Sequence, residues 1–256
     1  AALKRLDWDK PANTLPTIPH YHPSEPRRLT STEYKRLAGF PDSFKFRSWR
    51  SAIDRIGNCV PPNLIKAIAT HLRKVVLKTR RKPTVISTFA GGGGSSLGYH
   101  MAGYKELLAV EWDDDAVTTL KDNFPELKIF HGDIADLSAP ECLKLAGIKK
   151  GSPPCQGFSQ ASKTRRMSDP KNSLFKEFVR LLDGLQPRVF VMENVTGMVK
   201  GPMKQIFLEI IKALRAVGYH VEAQVLNAKF FDVAQSRERV IFVGVRADFY
   251  KQQTTK

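Results

Sequence analysis

Cysteine is scarce in this sequence, and long apolar segments are absent. The three cysteines, at positions 59, 142 and 155 of 256 residues, form neither a CxxC pair nor an even set, which argues against a disulfide framework or a cysteine-based metal site. The longest apolar runs, such as VIFVGV, are far shorter than the ~20 residues that cross a bilayer, and no basic N-terminal segment precedes an apolar one. The sequence therefore predicts a globular protein from a reducing cellular compartment, with no membrane partner and no bound metal.

Acidic side chains are also few compared with basic ones. The chain has 41 Lys plus Arg against 25 Asp plus Glu, a formal net charge of +16. Such an excess favours a polyanionic partner, above all nucleic acid, over anionic lipid or mere solubility. The basic residues concentrate in the first third, from Arg27 to the run LKTRRK at 77–82, so we expect a binding face there.

The apolar content is sufficient for one full core. Hydrophobic residues make up 42% of the chain, which fits one large domain or a domain with a lobe. Residues 1–26 are rich in Pro, Thr and His and predict an extended segment. Thr30 followed by Glu33 is the capping-box pattern of a helix start, and two prolines at 61 and 62 begin a second helix with one apolar stripe.

From Lys82 onward, apolar strands alternate with amphipathic helices. The segments with strand character are TVISTFA, LLAVEW, KIFHGDI, RVFVMEN, HVEAQVLNA and RVIFVGV. Helical periodicity is clearest in DDAVTTLKDNF, KNSLFKEFVRLLDGL and MKQIFLEIIKALRAVGY. This alternation predicts an α/β fold with a mainly parallel sheet and helices on both faces.

The ends of the first three strands predict a nucleotide site, because ligands of open parallel sheets bind at the C-terminal ends of the strands. Glu111, about 20 residues beyond the glycine run, could accept hydrogen bonds from both ribose hydroxyls. Asp133 could accept from an adenine amino group, and Ile134 could pack on the ring. The residues at these strand ends are Phe89, Ala90, Gly91, Gly92, Gly93, Gly94, Glu111, Trp112, Asp133 and Ile134.

The glycine run favours a single nucleoside over a dinucleotide. A G-x-G-x-x-G motif that starts at Gly91 is broken by Ser96, which weakens a pyrophosphate site. A glycine run by itself is equally typical of a flexible turn, and an isolated Asp133 of a helix cap. The combination with two acidic strand ends predicts a nucleoside cofactor.

A second group of residues suggests chemistry beside that cofactor. Cys155 follows a strand-length segment and two prolines, so we expect it at the same sheet edge, with a mobile glycine-containing loop after it. Glu193 ends an apolar strand, where desolvation should raise its pKa and let it donate a proton. Arg237 and Arg239 should share one face, suited to an anionic or carbonyl-bearing ligand or to an ion pair. From these residues alone, Cys155 is either a nucleophile or a buried inert thiol.

The order of the motifs resembles a known family. FAGGGG, EW, GD, PPCQGFS, ENV and QSRERVIFVG resemble motifs I to VIII of the DNA cytosine-5 methyltransferases, which use S-adenosylmethionine. RRLTSTEYKRLAGFPDSF resembles motif IX, and IGNCVPPNLIKAI resembles motif X. The resemblance covers almost the whole chain. It implies a Rossmann-like methyltransferase fold, S-adenosylmethionine as cofactor and duplex DNA as partner.

The motifs stand in an unusual order. Motifs IX and X come last in most of the family but first here, so the sequence resembles a circularly permuted member. The implied parts are a permuted segment at 1–82 that packs on the core, a catalytic core at 83–247 and a tail at 248–256. Residues 73–83 would link neighbouring elements. Asn58 would then reach the glycine loop in space.

The resemblance also implies a mechanism and its residues. Cys155 would add to C6 of a cytosine flipped out of the duplex while Glu193 acts at N3, giving 5-methylcytosine as a modification methyltransferase does. Arg239, supported by Arg237, would hold the base or its phosphate. The implied cofactor contacts add Pro154, Leu174 and Asn58 to the strand-end residues, and the implied DNA contacts are Gln156, Ser159, Arg165 and Arg166.

One expected part of the family pattern is absent from the sequence. A target-recognition region should follow Val245 or precede Leu6 under permutation, but only RADFYKQQTTK and a few residues stand there. We therefore expect a catalytic fragment, also favoured by the lack of an initial Met, or a chain that needs a separate recognition subunit. We therefore expect this chain alone to bind DNA weakly and without sequence specificity.

Three other functions stay open at this point. They are a tRNA cytosine-5 methyltransferase on the same motifs, a nucleotide-dependent oxidoreductase, and a non-catalytic DNA-binding or regulatory subunit. The broken glycine motif disfavours the second, and intact Cys155 and Glu193 disfavour the third. The expected location is the cytoplasm of a bacterial or phage-like source, in association with the nucleoid.

Overall fold

The structure of the protein is a computed structural model. It describes residues 4–18, 20–148, 155–159, 172–199 and 204–254, and of residues 155–159, 172–173 and 253–254 it describes the backbone alone. The strands are β1 (Ala12–Asn13), β2 (Thr84–Thr88), β3 (Lys105–Glu111), β4 (Ile129–His131), β5 (Cys155–Ser159), β6 (Val189–Val195), β7 (Tyr219–Asn227), β8 (Gln235–Ser236) and β9 (Glu238–Arg246). The helices are α1 (Ser31–Leu37), α2 (Trp49–Asn58), α3 (Pro62–His71), α4 (Gly94–Met101), α5 (Asp114–Asn123), α6 (Ala139–Leu145), α7 (Asn172–Leu185), α8 (Lys204–Ala216) and α9 (Ala247–Thr254).

Seven of the described strands form one sheet, in the order β4-β3-β2-β5-β6-β9-β7. Neighbours from β4 to β6 are parallel, and β9 is antiparallel to both β6 and β7. The C-terminal ends of β2, β3 and β4 therefore meet at one edge, which we call the site edge. The starts of the same strands, at Thr84, Lys105 and Ile129, lie at the opposite edge, which we call the far edge.

Helices cover both faces of this sheet, as the strand and helix alternation predicted. On one face α3 and α4 contribute Leu64, Ile65 and Tyr99 to a buried cluster with Val191 of β6. On the other face α7 and α8 pack against the alternate side chains of β6 and β9. Side chains that alternate along a strand point to opposite faces, so the nearly continuous apolar run of β6 fills both clusters.

The N-terminal residues form a layer attached to the sheet. The predicted capping box begins α1, because the Thr30 hydroxyl accepts from the Glu33 backbone and the Glu33 carboxylate accepts from the Thr30 backbone. β1 pairs in parallel with β8, with Ala12 opposite Gln235. Leu15 and Tyr34 are buried in the cluster that α1 and α2 share. The division of the chain into three parts remains a prediction.

Five of the described elements, β1, β8, α2, α6 and α9, were not predicted from the sequence. α2 occupies a stretch that looked like a polar connection, because arginines separate its apolar residues. Ser48 caps this helix by accepting from Ser51 N, and Ala52, Ile53 and Ile56 form its buried face. Within the described ranges, no helix is long and apolar enough to cross a membrane, and no cluster of three His, Cys, Asp or Glu residues is arranged to hold a metal ion.

Candidate active site

A cavity of about 400 Å³ opens at the site edge. Its walls come from the ends of β2, β3 and β4 and from the junction between α2 and α3. The predicted cofactor residues that line it are Phe89, Ala90, Gly91, Gly92, Gly94, Glu111, Trp112, Asp133, Ile134, Leu174 and Asn58. The sequence thus predicted most of one cavity from residues that are far apart along the chain.

Close packing explains the glycine run. A Cβ on Gly92 would lie 2.8 Å from Arg55 Cβ, and one on Gly94 would lie 2.9 Å from the carbonyl oxygen of Val60. Gly93, with φ of 85°, caps α4 and packs against Phe124 instead of lining the cavity. Phe89 has a φ of 56°, a left-handed conformation that costs a non-glycine residue about 1–3 kcal/mol. The strained residue, Phe89, lies where the chain leaves β2 and forms the cavity wall.

Glu111 organises the wall opposite the glycine run. Its Oε2 accepts from Gly91 N at 2.7 Å, and its Oε1 accepts from Trp112 N and Asp113 N, both at 3.0 Å. The side chain is buried, and a carboxylate offers about four acceptor positions. Three backbone amides therefore fix Glu111 and leave capacity for a ligand hydroxyl.

Asp133 caps a short helix at the rim of the cavity, and its contact with an adenine stays a prediction. Its Oδ1 accepts from Ala135 N at 2.9 Å and so begins a short 3₁₀-helix. The same residue lines the cavity with an exposed side chain. Asp133 is thus a helix cap whose second oxygen faces the site.

Sequence reasoning missed the basic side of the cavity. Arg55 lines it and bridges Asp113, 3.1 Å from Oδ1, and Asp115, 3.4 Å from Oδ2. These ion pairs hold the end of α2 against the start of α5. The other lining residues that the prediction omitted are Cys59, Val60, Ser95, Val110, Asp113 and Gly132. The three consecutive aspartates after Trp112 were the signal that could have predicted a basic residue here, because adjacent carboxylates repel each other unless a cation lies near them.

Cys59 lies on the cavity wall but is not reactive. Burial raises the pKa of its thiol to about 11. Its Sγ donates to the Ile56 carbonyl at 3.3 Å. A protonated thiol is a poor nucleophile at neutral pH, so Cys59 acts as an apolar wall residue.

Glu193 is buried within β6 and has a cationic neighbour. Its Oε2 lies 3.2 Å from Nε of Arg239 on β9, and the side chains of both residues are largely buried. The sequence predicted a desolvated carboxylate but not this pair. Of the two possible partners predicted for Arg239, a ligand or a carboxylate, the structure shows the carboxylate.

Arg237 lies elsewhere than the sequence predicted. It lies between β8 and β9, and its guanidinium is fully buried and donates to the Leu15 carbonyl at 3.2 Å and the Gly57 carbonyl at 2.9 Å. Burial and the neighbouring Arg239 charge lower the pKa of Arg237 to about 10, so it stays charged at neutral pH. Two backbone carbonyls therefore occupy the donors that were predicted to hold a base.

The strand that contains Cys155 also differs from the prediction. β5 begins at Cys155 instead of ending before it, and pairs Cys155 with Val85 at the start of β2. This register moves Cys155 about four residues, or ~13 Å, from the site edge and sets Ser159 beside Glu193. A parallel strand can fill the gap between β2 and β6 in more than one register, and sliding it moves every residue along the sheet.

Several predicted contacts remain untested. Gln156 and Ser159, predicted as DNA contacts in a loop, have strand backbones in β5. Pro154, Arg165 and Arg166 lie outside the described residues, as do the side chains of 155–159.

A family model for C-5 cytosine-specific DNA methylases matches this chain over residues 4–74 and 83–256. The Type II methyltransferase M1.HphI of Haemophilus parahaemolyticus is 41% identical over 168 residues, which cover 63% of this chain and 45% of that protein. M.FnuDI of Fusobacterium nucleatum is 39% identical over 64% of this chain and 47% of its own length. The chain spans about half the length of these two relatives.

Solved structures show the same fold. An E. coli prophage protein described as a DNA modification methyltransferase superposes with a TM-score of 0.56 at 26% identity, covering 66% of this chain and 48% of that one. The S. pombe Dnmt2 methyltransferase gives a TM-score of 0.52 at 19% identity, covering 65% and 50% respectively. The α/β architecture is therefore the Rossmann-like fold of these methyltransferases.

Proposed function

Because the chain belongs to the C-5 cytosine-specific DNA methylase family, we propose that it methylates C5 of cytosine in duplex DNA, as a modification methyltransferase does. The observation that carries this proposal is the cavity at the site edge, with Glu111 on its wall and the buried Glu193 and Arg239 pair on the neighbouring strands. A cytoplasmic, nucleoid-associated location is part of the same proposal.

The residues of the cavity fit S-adenosylmethionine. The carboxylates of Glu111, Asp113 and Asp133 suit a cationic ligand with ribose hydroxyls and an adenine amino group, and Phe89 and Ile134 offer apolar walls for a base. The volume of about 400 Å³ lies within the range of small-molecule sites. When bound, the cofactor supplies an electrophilic methyl group.

We assign the reaction steps to residues of this chain. The Cys155 thiolate forms a bond to C6 of the flipped cytosine, which breaks the C5–C6 double bond, while Glu193 stabilises or protonates N3. C5 then has the electron density to accept the methyl group. Loss of the C5 proton restores the double bond as the C6–S bond breaks and Cys155 leaves. Arg239 sets the orientation and charge of Glu193 through their ion pair.

This mechanism requires Cys155 at the site edge. In the register described above, Ser159 and not Cys155 lies beside Glu193. We propose that β5 takes another register in the active form, in which Cys155 lies at the site edge. The resemblance of PPCQGFS to the family motif supports this arrangement, since that motif implies Cys155 as the nucleophile.

Two observations support a circular permutation. The family match is interrupted at 75–82, the segment predicted to link motif X to motif I. The elements that this segment joins also lie close together, because α3, which precedes the segment, contacts α4, the helix that follows β2. A link between elements that are already adjacent can be opened or closed without a change of fold.

Target recognition is proposed to come from a segment or subunit outside this chain. The support is that the chain spans about half the length of M1.HphI and M.FnuDI. On this proposal the chain alone binds DNA weakly and without sequence preference.

The decisive experiment measures transfer of a labelled methyl group to DNA or tRNA, with and without a supplied recognition subunit. We expect incorporation into duplex DNA that Cys155→Ala abolishes. Cys142→Ala is the matched control, because Cys142 is buried on α6 and is not among the residues that line the cavity, and it should retain transfer.

Three results would contradict the proposal. Undiminished transfer by Cys155→Ala would exclude the nucleophile, and transfer to tRNA in preference to DNA would favour the RNA enzyme. Nicotinamide binding in place of S-adenosylmethionine would favour the oxidoreductase.

A further inference from the structure

The longest acid-free stretch of the chain ends at the far edge. Residues 55–105 contain nine Lys or Arg and no Asp or Glu. Six of these basic residues have exposed side chains at or next to the starts of β2 and β3. They are Lys74, Lys78, Arg80, Arg81, Lys82 and Lys105, and we call them the far-edge basic surface.

Some of the basic residues elsewhere in the first third are paired with carboxylates. Arg27 lies 2.7 Å from a Glu25 carboxylate oxygen and 2.9 Å from one of Glu33, Arg36 lies 2.6 Å from Asp42, and Arg50 lies 2.9 Å from Asp54. Among the described residues, no carboxylate lies within ion-pair distance of the six residues of the far-edge basic surface. Part of the predicted basic face is therefore already paired. Exposed Arg28, Lys45 and Arg47 have no carboxylate within ion-pair distance among the described residues either, but they are scattered, whereas the far-edge basic surface groups six such charges.

Basic side chains predominate at the far edge, whereas three carboxylates line the cavity at the site edge, one of them paired with Arg55. At the far edge the Lys105 amide donates to the Pro83 carbonyl at 2.8 Å, which brings Lys82 and Lys105 together. Exposed Lys128 and Arg188 directly precede the starts of β4 and β6. At the site edge the carboxylates of Glu111, Asp113 and Asp133 line the cavity. The far edge therefore offers a polyanion a second basic surface, apart from the edge where the reaction takes place.

We propose that the far-edge basic surface binds the phosphodiester backbone of a duplex, independently of sequence, and separately from the base that is methylated. β2 alone separates the edges by ~17 Å, so the contacted phosphates are not those that flank the target base. Residues 78–82 read Lys-Thr-Arg-Arg-Lys, with no aromatic side chain to stack on a base. Backbone contacts of this kind position a protein on DNA without reading its sequence. The proposal rests on the proposed function only in its choice of DNA as the polyanion.

The test compares two triple variants of the whole chain with equal loss of charge. One is Arg80→Gln, Arg81→Gln and Lys82→Gln at the far edge. The control is Lys10→Gln, Arg36→Gln and Arg50→Gln, whose side chains are paired with Asp7, Asp42 and Asp54. Binding to a long duplex of arbitrary sequence is measured by fluorescence anisotropy over a series of salt concentrations.

We expect the far-edge variant to reduce the slope of log affinity against log salt by up to about 3, since each phosphate contact contributes about 0.9. The control should change it by less than 1, and both variants should bind S-adenosylmethionine like the unmodified chain. Equal slopes for the two variants would overturn the proposal. So would a far-edge variant that loses binding to phosphatidylserine vesicles but not to DNA. The slopes are measured without methyl transfer, so an inactive chain would refute the proposed function without affecting this result.

Discussion

At the scale of single residues, the position of Glu111 agrees with the sequence-based prediction, whereas the position of Cys155 does not. Glu111 was predicted from its place at a strand end, and the structure holds it with three backbone amides at the cavity. Cys155 was predicted from its neighbours in sequence, and its position depends on the register of one strand. The position of a residue is thus easier to predict when its strand has one register than when the strand can pair in several registers.

Replacing Glu111 tests the cofactor site. In Glu111→Gln the side-chain amide brings donors to a position that faces three backbone donors. We expect S-adenosylmethionine to bind at least about tenfold more weakly, because hydrogen bonds to charged groups contribute about 1.5–3 kcal/mol. Titration calorimetry measures the affinity, with exposed Glu141→Gln on α6 as the control. Unchanged affinity in Glu111→Gln would exclude this carboxylate from the site.

Glu106 gives a prediction about pH. Burial raises its pKa to about 7 from an ordinary value of 4.5, although hydrogen bonds from Ser87 and Ser96 act in the opposite direction. Its contribution to stability is therefore complete below about pH 4.5 and is lost as the pH rises through 7, a change of about 3 kcal/mol. The difference in unfolding free energy between Glu106→Gln and the unmodified chain should move in favour of the variant from pH 5 to pH 8. Urea titrations at several pH values measure it, and a constant difference would contradict the prediction.

At the scale of elements, the contact between α3 and α4 joins the N-terminal segment to the sheet. Gly98 of α4 faces α3 so closely that a Cβ would lie 2.6 Å from both Ile65 Cβ and the Pro62 carbonyl oxygen. Tyr104, which follows α4, donates from its hydroxyl to the Ala69 carbonyl at 3.0 Å. The helix that resembles motif X is therefore fixed against the helix after the glycine loop.

Gly98→Ala should separate these helices. We expect a loss of about 2 kcal/mol or more in unfolding free energy, because backbone atoms of α3 cannot move aside for the new methyl group. Gly197→Ala is a matched control, since a Cβ there meets no atom within 4 Å. Equal stability of the two variants in a denaturant titration would show that α3 is not packed as described.

At the scale of the whole molecule, the chain is one folded unit in spite of its motif order. β1 from the N-terminus pairs with β8 near the C-terminus, and Arg237 donates to carbonyls of Leu15 and Gly57. The core cluster around α3 also includes Val191 and Ile241 of distant strands. These contacts do not depend on the continuity of residues 75–82.

Cutting the link should therefore leave the fold intact. We expect a chain with a protease site inserted after Thr79 to remain one particle on size-exclusion chromatography after cleavage, and to retain S-adenosylmethionine binding. Separation of the two fragments at micromolar concentration would show that the link, not the packing, holds them together.

The sequence by itself determined the class of fold, most of the strands and helices of the sheet, and most of the cavity. The reason is that apolar periodicity fixes elements locally, and parallel strands bring their C-terminal ends to one edge. It did not determine that Arg237 binds backbone carbonyls while Arg239 pairs with Glu193, since both arginines have the same pattern along the chain. It also did not reveal Arg55 in the cavity, or that Arg27, Arg36 and Arg50 are already paired with carboxylates. Only the tertiary structure decided these, because charge pairing depends on which residues of distant segments meet.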